Sequence, residues 1–136
     1  LLAVVPKEHR LASLPRFPIK EVEHEPFISL LETSDHDARR ALEAAGVKPN
    51  IRYTTKDDYA IIAMVEQGLG VSIMPELLLS GRSDNVRIME LAPPASRTIG
   101  LCLPDADRAG PATLRFAQCV SEWVREHYSR QANTTS

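Results

Sequence analysis

Residues 51–75 read IRYTTKDDYAIIAMVEQGLGVSIMP, and their punctuation divides them into three pieces. Ile51-Arg52-Tyr53-Thr54 has the β-branched and aromatic content of a strand. Thr55, with Asp58 three positions on, matches the hydroxyl-x-x-acid signature of a helix start. On a wheel of ~100° per residue, Ile61, Ile62, Met64 and Val65 gather on one side, while Tyr59, Ala63, Glu66 and Gln67 take the other. Gly68 supplies the stop. Val71-Ser72-Ile73-Met74-Pro75 is then short, apolar and closed by proline, as a buried strand is. A strand, a helix and a further strand in this order imply a mainly parallel, right-handed α/β sheet.

The same unit extends in both directions. Leu1–Val5 is a buried strand halted by Pro6, which cannot donate to a ladder. Lys7–Pro18 is a polar, proline-broken connection, Ile19–His24 one helical turn, and Pro26–Leu31 the next strand. Ser34 with Asp37 repeats the capping signature, and Ala38, Ala41, Leu42 and Ala45 keep helical spacing until Gly46. Downstream come a short helix at Glu76–Ser80 and an alternating strand at Val86–Leu91. Another strand is expected over Arg97–Leu103, then a long helix from Pro111 to Tyr128. That helix carries Phe116, Ala117, Val120, Trp123, Val124 and Tyr128 on one apolar face, which needs a sheet to cover or a partner to meet, so self-association is expected. The tail Ser129–Ser136 is polar and expected to fray.

At 136 residues the chain holds one ordinary domain or part of a larger one. Its 43% hydrophobic and 25% charged content is that of a globular protein rather than a disordered one. The net charge of −2 offers no positive field to hold a polyanion, so this segment is not expected to bind DNA itself. Cys102 and Cys119 sit in apolar surroundings without CxxC spacing and read as buried, reduced thiols of a cytoplasmic protein. No run approaches the ~20 apolar residues that cross a bilayer. The opening Leu1–Val5 is too short for a signal peptide and reads as the middle of a longer chain.

Catalytic and metal motifs fail on spacing. The four histidines, His9, His24, His36 and His127, form no HxxxH or Cys/His pair. Ser34-Asp35-His36 has triad letters, but consecutive helical residues diverge by ~100° and cannot line up. Gly68-Leu69-Gly70 follows a helix instead of opening one, the wrong order for a phosphate loop. The strand ends lack the acidic cluster of a phosphoacceptor receiver domain. What survives is the pair of helix starts at Ser34 and Thr55, which follow two parallel strands and so face one carboxyl edge. Their free N–H groups and dipoles suit a carboxylate, at ~0.3–1 kcal/mol for each exposed helix end.

Four fragments carry a resemblance. Leu2-Ala3-Val4-Val5-Pro6-Lys7-Glu8-His9-Arg10-Leu11-Ala12, then Pro26-Phe27-Ile28, then Ala44-Ala45-Gly46-Val47-Lys48-Pro49, then Met64–Glu76 together resemble the effector-binding domain of LysR-type transcriptional regulators. The resemblance implies a periplasmic-binding-protein-like (type 2) fold of two α/β lobes joined by two hinge strands, with a small-molecule inducer in the cleft. It implies that residues 1–5 and 98–104 are the hinge strands, 6–97 the second lobe, and 105–128 the return segment and C-terminal helix of the first lobe. It further implies pocket contributions from Val5, Thr33, Ser34, Thr54, Thr55 and Leu101. No catalytic residue, metal or cofactor is expected. The expected partners are a small inducer, a carboxylate favoured, and a second copy of the protein, with no membrane. DNA would be reached only through a winged helix-turn-helix absent from these residues. The alternatives are a solute-binding receptor lobe of the same architecture and a small α/β enzyme.

Overall fold

A strand that is apolar at every position must be covered on both faces, and Leu2–Pro6 (β1) is such a strand: Ala3, Val4 and Val5 are completely buried. The computed structural model of the chain describes residues 1–31, 36–81, 85–103 and 108–132. These fall into two units, Leu1–Arg97 and Thr98–Ser136.

In the first unit the elements follow as β1, β2 (Phe17–Pro18), a 3-10 turn (Ile19–Glu23), β3 (Phe27–Leu30), α1 (His36–Ala44), β4 (Ile51–Thr55), α2 (Asp58–Glu66), β5 (Ser72–Met74), α3 (Glu76–Leu79) and β6 (Val86–Ala92). β1 lies between β5 and β6 and is antiparallel to both, with Leu2 opposite Met74 on one side and Glu90 on the other. β2 runs parallel to β6, and β3 parallel to β4. A parallel bridge between Phe27 and Val71 joins the two sheets, reinforced by the Ile28 N–H donating to the Val71 carbonyl at 2.9 Å. The resulting layer has the order β4-β3-β5-β1-β6-β2. Five of its strands share one direction, as a mainly parallel sheet requires, and β1 alone opposes them.

Each face of this layer has its own core. On one, Ala3, Val5, Phe27, Ile73, Met89 and Leu91 pack with Ala38 and Leu42 of α1 and with Ile19 and Val22. On the other, Val4, Ile28, Met74 and Val86 pack with Leu79 of α3 and with Ile61, Ile62 and Val65 of α2, the stripe expected from the wheel. Each Val, Leu, Ile, Phe or Met among them, fully buried, contributes ~1.5–3 kcal/mol. Ser72 is the one buried polar residue among those described, and its hydroxyl donates to the Ile28 carbonyl at 2.8 Å across the join. At the edge where β1 ends, Glu25 ties the following loop down: it meets His9 Nε2 at 3.3 Å and accepts from Arg10, which also donates to Glu21. Glu21, then Glu25, raise the pKa of Arg10 above its ordinary value.

The second unit departs further from expectation. Residues 98–103 form no strand, because a strand exists only within a ladder and among the described residues nothing pairs with it. α4 spans Pro111–Ala132, beyond the expected end at Tyr128 and into the stretch expected to fray; residues 133–136 lie outside the described chain. Phe116, Trp123 and Val124 on its apolar face are exposed, and Trp123 stacks on His127 at 4.1 Å. Cys102 and Cys119 are free and exposed rather than buried. Their apolar neighbours in sequence, such as Ile99 and Leu101, are exposed as well, so the local pattern did not translate into cover.

The Gly70 position sets the approach of β5 to β3. A Cβ there would collide with the backbone carbonyl oxygen of Pro26, which itself accepts from Val71 N–H at 2.9 Å. At Gly46 a Cβ would meet nothing, and only its φ of +67° resists a side chain. Gly70→Ala is therefore expected to lose about 1–3 kcal/mol through forced backbone movement, against about 1 kcal/mol for Gly46→Ala. Urea unfolding of the two variants checks the order, and a reversed order would refute the close approach.

Candidate functional site

The direction of the strands decides what lies at each edge. β3 ends at Leu30 and β4 at Thr55, side by side, with Ser29 opposite Thr54, Leu30 opposite Thr55, and the Leu31 N–H donating to the Thr55 carbonyl at 2.8 Å. From β3 the chain passes through α1 outward to β4. From β4 it passes through α2 back across β3 to β5. Right-handed crossovers travelling in opposite directions must lie on opposite faces, and α1 and α2 do pack into opposite cores. With α1 and α2 on opposite faces beside two neighbouring strand ends, the topology predicts a crevice between those ends. This is the topological switch point at which open α/β sheets bind ligands.

Thr54 and Thr55 stand at that crevice, Thr54 exposed and Thr55 half-buried. Thr33 and Ser34 belong to the connection between β3 and α1 but lie outside the described residues, so the capping expected of Ser34 does too. Val5 is not at the crevice. Because β1 opposes its neighbours, its far end pairs with the start of β6, Val5 opposite Arg87 and Pro6 opposite Val86, and the side chain is completely buried. The end of β1 that reaches the crevice edge is Leu2. Leu101 is exposed and belongs to the second unit.

The helix start after β4 also differs from expectation. Asp57, not Thr55, is the N-cap of α2, its carboxylate accepting from Tyr59 N–H at 2.9 Å. Thr55 Oγ1 accepts from Asp57 N–H at 3.1 Å and so shapes the turn before the helix. A resident carboxylate with Asp58 beside it already complements this end of the dipole, which removes most of its attraction for an anionic ligand. Among the described residues, Lys56 and Arg97 are the cations beside it. Arg97 Nη1 lies 3.7 Å from Asp37 Oδ2 in the first turn of α1. Sequence reasoning placed Arg97 in a strand and missed this contact, for which proximity in sequence carries no signal.

A groove of about 280 Å³ lies beside the crevice, between α1 and β3–β4, with Phe27, Ser29, Leu42, Val47 and Ile51 among its lining. Ser29 and Ala38 contribute small side chains to its lining. Among the described residues no group of three or more His, Cys, Asp or Glu side chains could hold a metal.

A family model described as the LysR substrate binding domain matches residues 1–125. The HTH-type transcriptional regulator YvbU of Bacillus subtilis is 27% identical over 124 residues, which cover 90% of this chain and 42% of that protein. HinK, a LysR family transcriptional regulator from Pseudomonas aeruginosa, superposes with a TM-score of 0.65 at 27% identity, over 86% of this chain and 42% of that one. The effector binding domain of QuiR, solved with shikimate, gives a TM-score of 0.71 at 18% identity, over 93% of this chain and 61% of that one. The chain spans less than half the length of the curated relatives it matches. With the match running from β1 into α4, the chain belongs to the LysR substrate-binding domain family.

Proposed function

We propose that this chain is the inducer-sensing part of a LysR-type transcriptional regulator, taking a small metabolite at the β3/β4 switch point and performing no chemistry on it. The observation that carries this reading is the division of α1 and α2 between opposite faces beside the adjacent, parallel strands β3 and β4. Thr54 and Thr55 are the described polar side chains assigned to that switch point, Thr33 and Ser34 stay as candidates outside the described residues, and Leu2 takes the place assigned to Val5 from sequence. A carboxylate remains the favoured ligand class, with Arg97 as its cation in place of the α2 terminus. The shikimate bound by QuiR supports a small polar ligand in this architecture. DNA contact belongs to another part of the parent protein, since this chain carries a net charge of −2. A cytoplasmic location follows from that role, and no described helix is long and apolar enough to cross a membrane.

Ligand binding that favours the folded state raises the melting temperature by mass action, about 2.7 kcal/mol at a hundredfold excess over Kd. Thermal shifts of the parent protein against a panel of small carboxylates that includes shikimate are expected to yield a stabiliser. Thr54→Val with Thr55→Val should abolish the shift, and Thr55→Ser should retain it. A flat panel, or a shift indifferent to both threonines, refutes the crevice as the binding site.

The partner proposed besides the ligand is a second copy of the protein. The two edges of the layer are unequal: β2 is two residues long and ends in Pro18, which blunts it, whereas β4 exposes Ile51 to 51% and Tyr53 to 41% along an open edge. The exposed Phe116 and Trp123 of α4 point the same way. Light scattering is expected to give a dimer or larger species, shifted toward monomer by Ile51→Lys with Tyr53→Lys. A wild-type monomer at tens of micromolar refutes self-association.

A further inference from the structure

We propose that the groove between α1 and the paired strands β3 and β4 is a ligand site in its own right, for a neutral one-ring molecule bearing a single hydroxyl, of the phenol class. It does not depend on a ligand at the crevice. α1 packs inward, with Ala38 and Leu42 buried in the core that also holds Val5 and Ile73, and it leaves β4 exposed from Ile51 to Thr54. The strip between helix and strand stays open, lined by Phe27, Leu42, Val47 and Ile51. Its far wall is held from several directions. Gly46, at a φ of +67°, ends α1, and the Val47 N–H donates back to the Leu42 carbonyl at 2.9 Å. The Lys48 N–H donates to the Glu23 carboxylate at 3.0 Å. Asn50 is bonded twice, its N–H to the Val22 carbonyl and its carbonyl to the Phe27 N–H. A shape fixed before binding loses little entropy when a ligand enters, as in preformed small-molecule pockets.

Size, charge and hydrogen bonding select the ligand. The groove holds about 280 Å³. A cavity of ~150 Å³ already accepts benzene, so one ring with a short substituent is the fitting size. The charges beside it, Arg39 with Glu43 and Lys48 with Glu23, are exposed and cancel, so no net field draws an ion out of water. The neutral polar side chain in the lining is that of Ser29, which is half-buried. Its hydroxyl already donates to the Leu30 carbonyl at 3.0 Å, so toward the groove the oxygen can only accept. A ligand O–H supplies the missing donor. A carboxylate would instead bring a second acceptor and a charge to be desolvated.

Binding of para-cresol, toluene and para-toluate to the parent protein, followed by NMR of the ligands, tests the site. Para-cresol is expected to saturate and to bind about two- to tenfold tighter than toluene, the worth of one hydrogen bond, with para-toluate the weakest of the three. Ser29→Ala should erase the advantage over toluene while toluene still binds, a pattern that a misfolded variant cannot give. Photolabelling with a diazirine-bearing phenol should mark the tryptic peptide of residues 41–52, which carries Leu42, Val47 and Ile51. Thr54→Val with Thr55→Val should leave para-cresol binding unchanged, which separates the groove from the crevice. Absence of saturable binding, an advantage that survives Ser29→Ala, or labelling confined to other peptides overturns the site. Binding that disappears as the protein is concentrated also overturns it, because a second copy then fills the groove. A flat carboxylate panel bears on the crevice alone.

Discussion

Everything in the first unit is organised by one strand that runs the wrong way. β1 sits between β5 and β6, buried on both faces and antiparallel to each. Being apolar throughout, it can occupy only the middle of a covered layer, and the helices must then divide between the two faces to cover it. Its reversed direction also brings Leu2, not Val5, to the edge where the other strands end. A chain that entered by β1 would enter at the edge where the parallel strands end.

The crevice is a consequence of handedness applied twice. From β3 the chain moves outward to β4, and from β4 it returns across β3 to β5. Right-handed crossovers then put α1 and α2 on opposite faces. No side chain has to be spent on opening the gap, which leaves Thr54 and Thr55 free to be polar at a place where a closed edge would have demanded apolar packing. The approach of β5 to β3 that closes this arrangement depends on Gly70 against Pro26 and on the single hydroxyl of Ser72.

Electrostatics at the crevice are balanced rather than anion-seeking. Asp37 and Asp58 occupy the first turns of α1 and α2, and Asp57 caps α2 directly. These acids stabilise the helices that frame the site while repelling an anion from it. Lys56 and Arg97 offset them, and Arg97 is engaged with Asp37.

The identity of the elements was legible from the chain alone, because periodicity, capping letters and proline or glycine stops are local. The strands at residues 2–6, 27–30, 51–55, 72–74 and 86–92 and the stripe Ile61, Ile62, Val65 all belong to this class. Thr55 and Asp57 mark the limit of that legibility: two capping letters one residue apart competed, and the backbone gave the cap to the aspartate. Direction and partnership were beyond it. Whether β1 runs with or against its neighbours, whether residues 98–103 find a ladder, and whether Cys102 and Cys119 are covered depend on segments distant in sequence. Hydrophobic pattern says that a face must be buried; only the tertiary structure chooses what buries it, and that choice moved Val5 away from the crevice and brought Arg97 to Asp37.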